Sequence, residues 1–517
     1  MRIEARLNDS VGQFAAKTAI VASGRRLSYA ELHTQTDRLA AALVKAGVAS
    51  RDRVVLLLDN EVEAPLSFFA TWKAGAVACP LYPSIKAEKL ATILTSIEPA
   101  AIIAHARYLP NLTTAIAAAG IQAVVVATHA PLGGNPGILR FDELIETEPR
   151  EELPSRPEDD ALAVLIHTSG STGTPKGVML THANVDAACQ SIIGYLRNSS
   201  DEIVLSVLPL SFGYGITQMV TMASVGGTLV LEKSFAFPRK ILDRLAEERV
   251  TGLPLVPAMA ALICGMKELP PNLLPHLRYV TSAAAALPPA LSSRLQQLLP
   301  QSKIFVMYGQ TECLRVSFLP PEELAARPTS VGKAIPGTRA FVIDEEGRPA
   351  APGAIGELVV EGPHVMAGYW AAPGGSIGEP LETAEFGRRL RTGDLFHMDE
   401  QGFLYFVSRK DDIIKTRGEK VSPQEVERVL YALPGIREAA VTGIDDAVFG
   451  QVVCAHVALE ADSLLTERDV IRHCATHLED YMVPKHVEFR AALPRTSTGK
   501  IRMSAGAETE PQLENVV

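Results

Sequence analysis

The stretch that decides the fold reads Thr168-Ser169-Gly170-Ser171-Thr172-Gly173-Thr174-Pro175-Lys176-Gly177 and follows an apolar run at residues 161–166. Its glycines leave bare amides that a phosphate can approach, its hydroxyls donate hydrogen bonds, and its lysine adds a positive charge. It is not a Walker A loop, because Pro175 stands where that motif needs glycine. It is not a nucleophile elbow either, because Ser169 stands where GxSxG needs glycine. We predict a phosphate-binding loop, and the alternative is a polar hairpin turn.

Short apolar runs alternate with helical patterns on both sides of this loop. Residues 53–58 (RVVLLL) follow a helical stretch at 29–46, in which Leu32, Leu39 and Leu43 recur at helical spacing. Similar strand-like runs occur at residues 76–79, 102–104, 123–127, 203–208, 228–231, 252–256 and 304–306. Strands that alternate with helices predict an α/β protein whose parallel sheets are covered by helices.

A domain boundary is predicted near Ser408. The strand-like run at residues 402–407 (GFLYFV) gives way to the polar run SRKDD. Beyond it, Ser422 as N-cap, Pro423 at the first helical position and Glu425 two residues later predict a helix that begins with a capping box. The tail then reads as two strands, a helix and a strand. The pattern predicts an N-terminal domain over residues 1–408 and a small α+β domain over residues 409–517.

Composition narrows the class of protein. The chain has 517 residues, of which 47% are hydrophobic and 21% charged, so it is too apolar to be disordered. A net charge of −10 argues against a nucleic-acid partner, because nucleic-acid binders usually carry a basic excess. The six cysteines include no CxxC pair and are expected to be reduced thiols. There is no apolar signal sequence and no run long enough to span a membrane, so we expect a cytoplasmic location.

Three further motifs carry chemical side chains. Tyr308-Gly309-Gln310-Thr311-Glu312 follows a predicted strand, where the Glu312 carboxylate suits Mg²⁺ beside phosphates. Arg391-Thr392-Gly393-Asp394 presents a carboxylate that can accept hydrogen bonds from two vicinal ribose hydroxyls. Residues 494–500 (PRTSTGK) present Lys500 on a loop near the C-terminus. Taken alone, each motif is more simply explained as a solvated turn or an exposed loop.

Together, in this order and spacing, the motifs resemble the adenylate-forming superfamily of acyl-CoA synthetases, carrier-loading adenylation domains and luciferases. The resemblance covers about residues 28–503. It implies an α/β fold in which a large N-terminal part has two mostly parallel sheets and a β-barrel-like subdomain, followed by a small mobile C-terminal domain. It also implies ATP-dependent activation of a carboxylic acid to an acyl-adenylate with release of pyrophosphate. Transfer to the thiol of CoA would then give acyl-CoA and AMP.

The resemblance assigns a role to each matching residue. The ATP phosphates would contact Thr168, Ser169, Gly170, Ser171, Thr172, Gly173, Thr174 and Lys176. Tyr308 would pack on adenine, Thr311 would contact the α-phosphate, and Glu312 would hold Mg²⁺. The ribose hydroxyls would meet Asp394 and Arg409. Lys500 would serve the adenylation step, Asp411 the hinge and Gly418 the acceptor tunnel.

The resemblance also implies a pocket for the acid substrate. Residues 208–215 (LPLSFGYG) match a pocket motif in which many relatives carry histidine at the Phe212 position. Amino-acid activators typically carry aspartate at the next position, and here Gly213 offers no charge. An α-ammonium group would be unpaired there, so we expect an apolar acyl or aryl acid. The predicted pocket residues are Phe212, Gly213, Tyr214, Ala258, Ala284, Gly309 and Cys313.

The chemistry explains the residue types. A carboxylate and ATP are both anions, so Mg²⁺ at Glu312 and the Lys500 ammonium would offset the repulsion during adenylation. We expect CoA to be the acceptor, because no carrier domain follows Lys500. The alternatives are the phosphopantetheine of a separate carrier protein, another nucleophile such as an amine or nitrite, or a catalytically silent nucleotide-binding protein. A monomer or a homodimer is expected.

Overall fold

The computed structural model describes residues 1–131, 137–147, 160–169, 175–266, 269–270, 273–371, 381–410, 412–416, 419–446, 449–495, 501 and 503. The predicted loop residues 170–174, the predicted hinge residue Asp411, the predicted tunnel residue Gly418 and the predicted catalytic Lys500 lie outside these ranges.

The strands of the N-terminal part are mostly short. In chain order they are β1 (Thr18–Ala22), β2 (Arg25–Ser28), β3 (Arg53–Leu57), β4 (Val77–Pro80), β5 (Ala101–His105), β6 (Val124–Thr128), β7 (Ile138–Arg140), β8 (Leu162–Ser169), β9 (Pro175–Thr181), β10 (Ile203–Ser206), β11 (Thr228–Leu231), β12 (Gly252–Leu255), β13 (Tyr279–Ser282), β14 (Lys303–Tyr308), β15 (Ser317–Leu319), β16 (Lys333–Ala334), β17 (Arg339–Ile343), β18 (Gly356–Gly362), β19 (Gly368–Tyr369), β20 (Thr383–Ala384), β21 (Gly387–Met398) and β22 (Leu404–Arg409).

Helices connect most of the parallel strands. They are α1 (Ile3–Phe14), α2 (Tyr29–Lys45), α3 (Glu63–Lys73), α4 (Ala87–Ile97), α5 (Leu109–Ala119), α6 (Phe141–Glu146), α7 (His182–Leu196), α8 (Gly213–Val225), α9 (Pro238–Glu247), α10 (Pro257–Cys264) and α11 (Pro289–Leu298), with short 3₁₀ turns at Ala106–Tyr108 and Pro321–Glu323.

Two α/β sheets form the body of the N-terminal part. The first has the order β16-β15-β14-β13-β12-β10-β11-β1-β2 and is parallel from β14 through β1. The second has the order β19-β9-β8-β4-β3-β5-β6-β7 and is parallel from β8 through β7. The prediction of parallel sheets with helical cover is confirmed.

One hydrophobic core joins the two sheets. Helix α3 is buried along its whole length, and its Phe68, Phe69 and Trp72 pack with strand residues of both sheets. Because the same apolar residues serve both sheets, their carboxyl ends are held in a fixed relation. In open α/β sheets, ligands bind outside these carboxyl ends.

A third sheet is antiparallel and matches the β-barrel-like part that was predicted. Its order is β17-β18-β21-β20, and β22 pairs with β21. The long strand β21 runs through the RTGD motif, and its register places Asp394 opposite Arg409. This pairing brings together Asp394 and Arg409, the two residues that the sequence predicts to bind the ribose.

The C-terminal part is an α+β unit, as the tail pattern predicts. It contains β23 (Ile414–Thr416), β24 (Glu419–Val421), α12 (Pro423–Tyr431), β25 (Ile436–Asp446), β26 (Gly450–Leu459), α13 (Glu467–His477) and β27 (His486–Phe489). The strand order is β24-β23-β26-β25, with β27 parallel to β26. Its own core contains side chains of both helices, including Val426, Leu430 and Val470.

The predicted capping box at α12 is wrong. Ser422 is the N-cap residue, but its side chain caps no helical amide. Its hydroxyl donates instead to the carbonyl oxygen of Val407 at 2.6 Å. A serine hydroxyl can bond either to an amide of its own helix or to a group elsewhere in the fold. Here it bonds to a carbonyl oxygen of β22 and not to its own helix.

Candidate active site

The carboxylate of Asp394 lies at the centre of a hydrogen-bonded cluster. Its Oδ2 accepts a hydrogen bond from the Tyr308 hydroxyl at 2.6 Å and another from Gln310 Nε2 at 2.7 Å. Its Oδ1 accepts from Arg409 Nε at 2.9 Å. Gln310 also donates to the carbonyl oxygen of Thr392 at 3.0 Å. The YGQTE and RTGD motifs, which are far apart in sequence, therefore meet at one carboxylate.

Burial sets the protonation of this cluster. Only 4% of Asp394 is exposed. Burial, together with the neighbouring Asp394 carboxylate, raises the pKa of Tyr308 well above its ordinary value. The phenol therefore stays protonated and donates to the carboxylate. The Tyr308 ring packs edge-on against Phe396 with ring centroids 4.8 Å apart, which holds the phenol in place.

Glu312 lies two residues after Gln310, in the loop that follows β14, and is partly exposed. Its Oε1 accepts a hydrogen bond from the Tyr369 hydroxyl at 3.0 Å. Within the described part of the chain no side chain donates to Oε2, so this oxygen can take a hard cation. The donor set thus fits the Mg²⁺ carboxylate that the sequence predicts.

Tyr369 also contacts the phosphate-loop hairpin. The Lys176 ammonium lies 5.5 Å from the centre of the Tyr369 ring. Strand β19, which carries Tyr369, pairs with β9 next to Lys176. On the other side of the loop, the register places Thr168 opposite Lys176. The described ends of the predicted phosphate loop therefore lie beside the loop that carries Glu312.

The predicted acid-pocket residues are contributed by several strand ends. The Phe212 ring stacks on Tyr82 with centroids 5.8 Å apart. A side chain at Gly213 would lie 2.6 Å from Leu314 Cδ2, so a larger residue there would displace Leu314. Tyr214 shares a hydrogen bond with the Thr281 hydroxyl at 2.7 Å.

The remaining predicted pocket residues differ in exposure. Ala258 is half-buried, and Ala284 is exposed with a left-handed φ of +73°. A Cβ atom at Gly309 would lie 2.4 Å from the carbonyl oxygen of Leu314, so this position excludes side chains. Cys313 is fully enclosed. Its place in the pocket wall, like those of the other pocket residues, stays a prediction.

Three site residues escape the sequence analysis. Gln310 lies inside a quoted motif but received no role, because a side-chain amide has no fixed partner in a sequence. Tyr369 belongs to the short GYW segment at residues 368–370, which carries no charge signal. Arg315 lies 5.1 Å from the centre of the Tyr214 ring and is 2% exposed. No spacing rule predicts a buried arginine at this position.

Two parallel α/β sheets with this polar cluster outside their strand ends define an adenylate-forming fold. Residues 7–370 match the AMP-binding enzyme family, and residues 425–500 match the AMP-binding enzyme C-terminal domain. The chain belongs to the AMP-binding enzyme family.

Named relatives match along almost the whole chain. A feruloyl-CoA synthase of an Amycolatopsis species is 34% identical, with 94% of each chain covered. An indoleacetate–CoA ligase of Aromatoleum aromaticum is 31% identical, with 97% of each chain covered. The ATP-bound structure of MatB from Rhodopseudomonas palustris is 29% identical, with a TM-score of 0.86 and 97% of each chain covered. Among the described residues, no helix is long and apolar enough to cross a membrane.

Proposed function

We propose that the protein is an AMP-forming acid–CoA ligase for an apolar aryl or acyl acid. It joins the acid to AMP with release of pyrophosphate and then transfers the acyl group to CoA. The observation that carries this proposal is the meeting of the Asp394 cluster with the loop of Glu312 at the end of β14. ATP, a small carboxylic acid and CoA are its substrates.

The residues of the site divide the work of adenylation. Asp394, held by Arg409 and Tyr308, accepts hydrogen bonds from the ribose hydroxyls of ATP. The loop at residues 168–176, with its Lys176, offsets the negative charge of the ATP phosphates. Glu312 would hold Mg²⁺, which would supply further positive charge beside the phosphates. Lys500 then stabilises the negative charge that develops as the acid attacks the α-phosphate.

An apolar aryl or acyl acid suits the residues of the predicted pocket better than an amino acid does. Gly213 supplies no carboxylate for an α-ammonium group, which would be costly to leave unpaired. Phe212 and Tyr82 form a stacked aromatic pair beside it. The feruloyl and indoleacetate names of two relatives support an aryl acid. Both acids place a flat apolar body behind the reacting carboxylate.

The second half-reaction needs the C-terminal part. We propose that residues 1–408 bind ATP and the acid, and that residues 409–517 carry Lys500 and the acceptor tunnel at Gly418. Rotation at Asp411 would remove Lys500 after adenylation and admit the thiol. The cytoplasmic location and the monomer or homodimer state stay predictions.

Product analysis by mass spectrometry tests the proposal. The protein is incubated with ATP, Mg²⁺ and a pool of aryl, fatty, dicarboxylic and amino acids, with and without CoA. Acyl-CoA together with AMP is the expected result. An acyl-adenylate that accumulates despite CoA would point to a carrier protein, an amine or nitrite as the acceptor. Release of ADP, or binding of ATP without any pyrophosphate, would overturn the proposal.

The Lys500→Ala variant separates the two half-reactions. We expect adenylation to fall by about 10²–10³-fold, as when an oxyanion donor is removed. Thioester formation from pre-made acyl-adenylate should survive, because Lys500 has left the site by then. An equal loss in both steps would contradict the role of Lys500 and leave the overall reaction standing.

A further inference from the structure

Asp394 lies in a bulge of strand β21. Strand β18 pairs with β21 in antiparallel register, and the register shifts between residues 357 and 359 of β18. In that interval Leu358 faces three residues, 392–394, which we call the bulge; a regular ladder would have one residue there. A β-bulge bends its strand and changes the direction of the side chains that it carries. The direction of the Asp394 carboxylate therefore depends on how the bulge is held.

The carboxylate of Glu357 holds the bulge on one side. Glu357 lies on β18 and is 8% exposed, and its Oε1 accepts a hydrogen bond from the Gly393 amide at 3.2 Å. Its Oε2 accepts from Arg391 Nε at 3.1 Å. Gly393 has a φ of +69°, a left-handed conformation that glycine adopts without strain. The bulge thus turns sharply at the residue whose amide Glu357 binds.

The same carboxylate contacts the segment that carries Arg409. The Lys410 ammonium lies 3.5 Å from Glu357 Oε2. The Lys410 amide donates a hydrogen bond to the carbonyl oxygen of Gly393 at 2.9 Å. Glu357 therefore contacts the residue before Asp394 and the residue after Arg409. Its contacts lie next to both members of the predicted ribose-binding pair.

We propose that Glu357 is a positioning residue that directs the Asp394 carboxylate toward the ribose hydroxyls of ATP by holding the Gly393 amide. This inference rests on the proposed function, in which Asp394 binds the ribose. Glu357 acts through Asp394 and not by contact with the nucleotide. Its ion pairs matter less, because the partner side chains of Arg391 and Lys410 are 56% and 59% exposed, and exposed ion pairs contribute little.

Two variants separate the hydrogen bond from the charge. Glu357→Asp keeps the charge, but its shorter side chain withdraws the oxygen from the Gly393 amide. Glu357→Gln removes the charge and keeps an oxygen for that amide, since the exposed Arg391 side chain can turn into solvent and a backbone amide cannot. We expect Glu357→Asp to bind ATP about tenfold more weakly, the loss of one hydrogen bond to a charged group, and Glu357→Gln to stay within about threefold of the wild type.

The readout is the preference for ATP over 2′,3′-dideoxy-ATP, which lacks both ribose hydroxyls. Isothermal titration calorimetry with each nucleotide gives the ratio of the two dissociation constants. Glu357→Asp should lower this ratio about tenfold and leave the affinity for dideoxy-ATP unchanged, because only ATP has the hydroxyls that Asp394 would bind. Weaker binding of both nucleotides, by unfolding or by a general distortion of the site, would overturn the inference. A preference lost in Glu357→Gln and kept in Glu357→Asp would overturn it too, because the charge would then be what matters.

Glu361→Asp is the matched control. Glu361 is a second buried glutamate of β18, and it accepts a hydrogen bond from Arg389 Nε on β21 at 2.7 Å, outside the bulge. The same shortening there disturbs a buried ion pair between the same two strands. The control should keep the wild-type preference for ATP. Loss of the preference in Glu361→Asp as well would contradict a specific role of Glu357.

A double variant tests whether Glu357 acts through Asp394. In the Asp394→Asn background, Glu357→Asp should weaken ATP binding no further, because residues that act as one unit are not additive. Additive losses would overturn the inference. If the wild type binds ATP and dideoxy-ATP equally, the inference fails together with the ribose role of Asp394. The ligase function is decided separately, by the formation of acyl-CoA and AMP.

Discussion

Replacing Asp394 by asparagine isolates the charge of the predicted ribose-binding carboxylate. The side chain keeps its shape, so the buried packing of Asp394 is retained. In the wild type, the two carboxylate oxygens of Asp394 accept three hydrogen bonds, from Tyr308, Gln310 and Arg409. An asparagine has one oxygen and one amide group. If the oxygen faces Tyr308 and Gln310, the amide faces Arg409, and two donors meet.

The magnitude follows from these contacts. A hydrogen bond to a charged group contributes about 1.5–3 kcal/mol. The variant loses the carboxylate's charge toward the ribose hydroxyls and leaves Arg409 opposite another donor. Loss of one such bond corresponds to roughly 10- to 150-fold weaker binding of ATP. The loss should appear equally for AMP, because both nucleotides carry the same ribose.

Isothermal titration calorimetry with ATP and with AMP measures both affinities. Asp344→Asn is the matched control, since Asp344 accepts hydrogen bonds from the backbone and side chain of Arg348 on an exposed turn. We expect wild-type affinities for the control. If Asp394→Asn binds ATP within twofold of the wild type, then Asp394 does not bind the ribose. A loss for ATP without a loss for AMP would place Asp394 near the phosphates instead.

Three further perturbations test other parts of the structure. Tyr369→Phe removes only the hydroxyl that holds Glu312 Oε1, so the Mg²⁺ concentration for half-maximal pyrophosphate release should rise about tenfold; an unchanged Mg²⁺ titration would contradict this. Gly215→Ala places a Cβ atom 2.3 Å from a backbone carbonyl oxygen and should lower the free energy of unfolding by about 1–3 kcal/mol. Gly194→Ala is its control, because it meets open space within helix α7 and should be neutral or stabilising in urea unfolding. Burial lowers the pKa of His364 to about 4, whereas an unfolded histidine binds its proton near 6.5; the unfolded chain therefore binds more protons between these values, and acidification through this window should lower stability by up to about 1.4 kcal/mol per pH unit. In His364→Asn, urea unfolding between pH 4.5 and 7.5 should show a shallower dependence, and an unchanged slope would assign the effect to other groups.

Element type followed from local pattern in most of the chain. The predicted run at residues 228–231 is strand β11 with the same bounds, and the run at 252–256 differs from β12 by one residue. Apolar strands between helical stretches have few alternatives once they are buried. The predicted capping box at Ser422 was wrong for a different reason. The Ser422 hydroxyl can bond to its own helix or to Val407, and only the tertiary structure brings Val407 near it.

The candidate site was predictable where one residue type suffices for the chemistry. Lys176, Glu312 and Asp394 were singled out because a phosphate, a cation and a ribose each require particular groups, and their roles stay predictions. The partners of these residues were not recognisable. Gln310 contacts Asp394 across a sequence distance that no local pattern spans, and Tyr369 reaches Glu312 only because β19 pairs with β9.

The sequence by itself determined the class of chemistry, because a loop of glycines, hydroxyls and a lysine, with its accompanying carboxylates, has few other uses. Tertiary structure alone decided which carboxylate oxygens are engaged and which are free. It also decided that Arg315 is buried beside Tyr214, with no carboxylate partner among the described residues. The physical reason is that charge and residue type are local properties of the chain. Burial and pairing depend on which distant segments the fold brings together.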